Sequence, residues 1–140
     1  MCEFEIRQFE ILYHNFGKIN STLSINPIME YLTKENSLKF KNGNITAREY
    51  PINDPDINCA VVEIKGRHPA SDFLINEKCK ELVYITNGVV SLNTEDQSVV
   101  LNEGDMAMIK KGERYFWDGY ATMITSCTPP WTPEQNKNVK

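Results

Sequence analysis

Residues 81–112 read ELVYITNGVVSLNTEDQSVVLNEGDMAMIKKG, a series of short apolar segments cut by turn residues. Residues 81–87 carry Leu82, Val83, Tyr84 and Ile85 and stop at Gly88. Residues 89–93 and 98–102 flank Thr94-Glu95-Asp96-Gln97, which reads as a hairpin turn. Gly104-Asp105 then turns into 106–110, and Lys111-Gly112-Glu113 turns out of it. The segments are too short for helices and rich in β-formers, so the stretch is expected to be all strand.

The same texture continues on both sides. Upstream, residues 45–50 and 59–65 read as strands, the second holding Val61, Val62 and Ile64. Downstream, residues 115–118 and 121–127 read as strands separated by Gly119. Many short strands with regular glycine punctuation imply an all-β sandwich or barrel over residues 44–127. The flanks differ. Residues 1–43 form an N-terminal extension in which Phe9, Ile11 and Tyr13 alternate like a strand, while Ile6, Phe9, Tyr13 and Phe16 fit one helix face; both remain open. Asn26-Pro27, followed by Ile28, Met29, Tyr31 and Leu32, predicts a short helix over about 27–35, because Asn caps a helix and Pro fits its first turn. Residues 128–140 are a Pro-rich tail, TPPWTPEQNKNVK, in which the prolines argue against a ladder strand. Trp131 is expected to lie against the barrel, and the last five residues to fray.

The order of these segments resembles the cupin family, and two motifs carry the resemblance. A Glu, six residues and a Gly end the family's first motif, and Glu81 to Gly88 matches. A Gly, five residues, a Pro, one residue and a Gly open its second, and Gly104 to Gly112 matches except that Lys110 stands where the Pro would be. The tail also looks like that of small bacterial cupins. The resemblance implies a cupin-type jelly-roll β-barrel, all-β, with a short helical or extended N-terminal segment.

Metal-binding cupins place His-x-His just before the motif-one Glu and a third His in motif two. Here the corresponding positions are Leu74 and Asn76, or Ile75 and Glu77 with a spacer one residue shorter, and Tyr115. Only Glu81 remains of that set. A phenol loses its proton near pH ~10 and an amide is neutral, so this set is a poor transition-metal chelate at neutral pH. No metal in that site and no cofactor are expected. The chain has two histidines, His14 and His68, and His68 reads as a surface loop residue.

Strand alternation places Cys79, Glu81, Val83 and Ile85 on one face, and Tyr115 with Trp117 on another. If these faces line the barrel, Asn76, Cys79, Glu81, Tyr115 and Trp117 form an aromatic pocket around one carboxylate, suited to a small organic ligand. Arg67, in the loop before motif one, could hold a ligand anion. The plain alternatives stand beside this reading: core packing for Tyr115 and Trp117, a buried apolar role for Cys79, and a surface salt bridge for Arg67. Three functions remain: metal-independent binding of a small polar or acidic metabolite, a cofactor-free isomerase, lyase or epimerase-like enzyme using Glu81 as base and Tyr115 as acid, or a structural or partner-binding protein with a filled barrel.

Composition narrows the partners. Fifteen Lys and Arg against nineteen Asp and Glu give a net charge of −4, which disfavours a nucleic-acid partner. The run 34–41 is lysine-rich but holds Glu35 and reads as a solvated surface. The opening MCEFEIRQFE lacks an apolar signal region, and no run approaches the ~18 apolar residues of a membrane span. Four scattered cysteines without a C-x-x-C pair imply reduced thiols and a cytoplasmic setting. Open sheet edges and outward Leu82 and Tyr84 imply a homodimer, with the N-terminal extension available to pack across it.

Overall fold

The alternation that predicts separate short strands is carried, in the computed structural model, by two long ones. The structure describes residues 29–140. Strand β5 spans Lys80–Thr94 and β8 spans Arg114–Thr128, and they pair antiparallel along almost their full length. Gly88 and Gly119, expected to separate strands, instead lie inside them. Gly88 pairs with Ala121 and Gly119 with Val90. A Cβ at Gly88 would sit 2.2 Å from the Tyr120 carbonyl oxygen, and one at Gly119 would sit 2.6 Å from that of Val89. Both have φ in the left-handed region, at 87° and 140°. The glycines therefore mark a close approach of two backbones and not chain reversals.

A register shift between Ile85 and Asn87 gives β5 a bulge. The bulge moves the inward set from Glu81, Val83 and Ile85 to Val90 and Leu92, so that both halves of a curling strand face one interior. On β8 the inward set is Tyr115, Trp117, Ala121, Met123, Thr125 and Cys127.

The remaining strands are β1 (Leu38–Asn42), β2 (Ile45–Glu49), β3 (Asn58–Lys65), β4 (Phe73–Asn76), β6 (Ser98–Asn102), β7 (Met106–Ile109) and β9 (Asn136–Val139). They form one curled sheet in the order β1-β2-β3-β8-β4-β9, with β5 on the other edge of β8 and β6 and β7 beyond β5. All pairings are antiparallel. Ile64, Val83, Ile85, Val90, Ile109 and Met123 close the packed part of the core.

Several expectations are corrected. Among the described residues the sheet begins at Leu38, ahead of the expected boundary at 44, so Leu38–Asn42 belong to the barrel. Residues 29–33 hold no helix, and Lys34–Asn36 make only a 3-10 turn; residues 27 and 28 lie outside the described residues. Met29 and Tyr31 are 82% and 78% exposed, so the apolar face that a short helix needs has no surface to pack on. The proline-rich tail does contribute a strand. Its prolines end at Pro133, after which β9 pairs with β4 from Asn136 to Val139. The strand-or-helix alternatives over 6–16, and His14, lie outside the described residues.

Candidate functional site

A cavity of about 400 Å³ opens inside the barrel, so the described side chains around it do not fill the interior. Its walls come from the inward faces of β1, β2, β3 and β8, together with Leu74, His68, Glu81 and the tail residues Trp131, Pro133 and Asn136. Asn58 holds the tail in place: its amide donates to the Trp131 carbonyl at 2.9 Å and its oxygen accepts the Trp131 N–H at 2.9 Å. Gln135 is buried and accepts the Cys79 N–H at 2.8 Å, while its side-chain amide donates to the Pro130 carbonyl. Glu134 is exposed and takes no part in the cavity wall.

At the floor, Glu81, Asn76 and Tyr115 form a buried network. Asn76 Nδ2 donates to Glu81 Oε2 at 3.0 Å and to the Tyr115 hydroxyl at 3.3 Å. The Tyr115 hydroxyl donates to the same Glu81 Oε2 at 3.3 Å. Asn76 Oδ1 accepts from Asn136 Nδ2 of β9 at 2.9 Å, which fixes the amide with its nitrogen toward the carboxylate. Tyr115 packs edge-on to Trp117, with ring centroids 6.3 Å apart. Burial raises the Glu81 carboxyl, and the hydrogen bonds from Tyr115 and Asn76 oppose that shift. Burial, reinforced by the Glu81 charge, holds the Tyr115 proton well above pH 10.

Sequence reasoning missed the second acid. Glu49, at the end of β2, lines the cavity and is 8% exposed. Its carboxyl is pushed up to about 7, first by burial and then by the Glu81 charge. Ile45, Ala47 and Glu49 alternate inward along β2, and that period-two pattern was visible; nothing in the sequence, however, placed β2 opposite Glu81. His68 was also misread as a surface loop residue. Its N–H and C=O pair with those of Trp117 at 2.9 Å or less, which staples the loop to β8 and sets the residue against the cavity. Burial lowers its imidazole pKa and so favours the neutral form.

Of the residues expected at the site, Glu81, Tyr115 and Trp117 line the cavity directly, and Asn76 stands behind them in the network. Cys79 is fully buried, and Cys127 lines the cavity; the neighbouring Cys79 thiol and burial raise the Cys127 pKa. Arg67 is not a cavity residue. Its guanidinium donates to the carbonyls of Pro69 and Asp72 and lies 4.1 Å over the Phe116 ring. Arg114 points outward to Glu95 at 2.8 Å, as alternation requires.

At the positions that the cupin resemblance assigns to histidines stand Leu74, Asn76 and Tyr115. Leu74 has no donor atom. The Asn76 oxygen is engaged by Asn136, and its nitrogen, a donor and not a ligand, faces Glu81. Tyr115 retains its proton. In the alternative spacing, Glu77 is exposed and ion-paired to Lys137 at 2.8 Å. Among the described residues no three His, Cys, Asp or Glu side chains converge on one point. No helix among the described residues is long and apolar enough to cross a membrane.

No protein-family profile and no curated protein sequence matches the chain. Solved structures do match by shape. Streptomyces PAC13 with uridine superimposes with a TM-score of 0.73 at 17% identity, over 81% of this chain and 92% of that one. A further structure of Pac13, described as a nucleoside dehydratase, gives the same score at 18% identity over the same shares. Ectoine synthase from P. lautus gives 0.65 at 15% identity, over 80% of this chain and 91% of that one. KdgF from Halomonas sp. gives 0.58 at 14% identity, over 71% and 94%. With the curled antiparallel sheet and the two spaced motifs, these likenesses establish the fold: the chain is a cupin-type jelly-roll β-barrel.

Proposed function

We propose that the barrel cavity binds a small polar organic molecule without a metal. The observation that carries this reading is the cavity itself: about 400 Å³ of space with aromatic walls and a fixed hydrogen-bonding floor at Glu81, Asn76 and Tyr115. A structural neighbour solved with uridine supports a barrel of this shape accommodating such a ligand. Of the two ligand classes open from the sequence, polar and acidic, the polar one is favoured. Two buried carboxyls, Glu49 and Glu81, would repel an anion.

The Glu49–Glu81 pair also favours a second reading, a cofactor-free enzyme working by proton transfer. A carboxyl held near 7 beside a second buried carboxyl can take and return protons at neutral pH, the property a general acid–base catalyst needs. Tyr115, whose proton is held tightly, then serves as a hydrogen-bond donor that orients Glu81 and not as the acid. His68, in its neutral form, is a further proton acceptor at the cavity wall.

Thermal-shift screening of the purified chain against nucleosides, sugars and amines tests the first reading. Binders are expected to stabilise the wild type and to do so less in Glu81→Gln. A panel without any shift, together with no change on Glu81→Gln, overturns it. Turnover of a binder, lost in both Glu49→Gln and Glu81→Gln, supports the enzyme; binding without turnover supports a carrier or sensor.

We infer in addition that the chain pairs with a second copy through the outer face of β5, β7 and β8. Leu82, Tyr84, Met106, Met108 and Ile124 are exposed there in adjacent registers, with Leu82 opposite Met108 and Tyr84 opposite both Met106 and Ile124.

A further inference from the structure

The cavity holds two acids and, among the described residues, no facing cation. Glu49 is 92% buried in the sense that only 8% of it is exposed, and no described residue hydrogen-bonds its carboxyl. Glu81 spends Oε2 on both of its hydrogen bonds, and Oε1 has no partner among the described residues. Lys39 and Lys41 border the rim, but β1 alternation sends their side chains outward. They are in register with Arg48 and Thr46, on the opposite face of β2 from Ala47 and Glu49. His68 favours its neutral form, and Tyr115 and Cys127 keep their protons. The walls around the two acids include Phe40, Tyr115, Trp117 and Trp131.

We propose that the ligand of this cavity is an organic cation, an ammonium- or amidinium-bearing molecule with a flat apolar body, seated with its nitrogen between Glu49 and Glu81. The proposal rests on the reading of the cavity as a ligand site and names the chemical class it takes. A protonated nitrogen supplies the N–H donors that Glu49 and Glu81 Oε1 lack, and hydrogen bonds between charged partners are the stronger kind. It also balances two like charges that water reaches poorly. Aromatic faces add attraction for a cation and a surface for a flat body. A neutral alcohol would satisfy the hydrogen bonds but leave the two charges unbalanced, and a carboxylate would add a third.

Three probes that share one indole body separate these cases: tryptamine, tryptophol and indole-3-acetate, titrated against the wild-type chain at pH 8 by ligand-observed NMR. Tryptamine is expected to bind at least about tenfold more tightly than tryptophol, with indole-3-acetate weakest. Glu49→Gln is expected to weaken tryptamine by about tenfold and leave tryptophol within about twofold. Glu81→Gln provides a second variant, and thermal unfolding of both confirms that they are folded. Tryptophol binding as well as tryptamine overturns the cation inference and leaves the ligand-site reading standing. Tryptamine affinity unchanged in both variants overturns the placement between the two acids, and with it the proposal. Failure of all three probes to bind overturns the cation inference, and the thermal-shift panel then decides the ligand-site reading separately.

Discussion

Glu49 shows how a single residue can report on the site without a known ligand. An exposed glutamate titrates near 4.5, whereas burial and the Glu81 charge bring Glu49 to about 7 in the folded chain. Below 4.5 the carboxyl is protonated in both folded and unfolded states, and its titration costs the fold nothing. As pH rises from 4.5 through 7, the unfolded chain releases this proton first. The fold therefore loses stability across that window, and above it the loss is complete. The expected size is about 3 kcal/mol, because each pKa unit corresponds to ~1.4 kcal/mol. Glu49→Gln has no such titration. Denaturant unfolding at pH 5 and pH 8 is expected to show a wild type that weakens with pH and a variant that weakens by about 2–3 kcal/mol less. Equal pH dependence in both would mean that Glu49 is solvated and not buried in the cavity wall.

At the scale of elements, the pairing of β5 with β8 depends on two residues without side chains. The Cβ of an alanine at Gly88 would overlap the Tyr120 carbonyl oxygen, in a backbone conformation that L-residues avoid. Gly88→Ala is expected to cost about 2–4 kcal/mol, measured as a lower midpoint in denaturant at unchanged slope. Gly104→Ala is the control for left-handed backbone alone, since a Cβ there meets nothing within 4 Å, and its cost is expected to be smaller. The tail makes a complementary point. Its prolines do stop strand formation, but only through Pro133. After a 3-10 turn that ends at Gln135, Asn136–Val139 complete the β4 edge and deliver Asn136 to Asn76, so a segment expected to fray helps to orient Glu81.

For the whole molecule, the curled sheet leaves the apolar row at Leu82, Tyr84, Met106, Met108 and Ile124 on its outer surface. Light scattering at micromolar concentration is expected to give twice the 16.1 kDa chain mass. Tyr84→Lys is expected to return it to the monomer, because a lysine in an apolar contact must be desolvated. A wild type that is already monomeric would remove the homodimer from consideration.

Much of the fold was legible in the chain because strand alternation and turn chemistry are local. The short strands, the 94–97 turn and the regular glycines indicated an all-β sandwich or barrel, and the Glu81 to Gly88 and Gly104 to Gly112 spacings carried the resemblance that implied the jelly roll. The same period of two put Glu81 on one face with Cys79 and Val83, and Tyr115 on one face with Trp117; that these faces look inward was what the cupin resemblance implied. The sequence could not show that β2 curls round to face β5. Along the sheet Glu49 and Glu81 lie three strand steps apart, about 14 Å on a flat surface at ~4.8 Å per strand. Only closure of the barrel puts both on one cavity, and only that closure removes the water that would otherwise keep each at an ordinary carboxylate pKa. Which residues share a face was therefore set by local periodicity; which of them meet, and how much water reaches them, was decided by the curvature of the whole sheet.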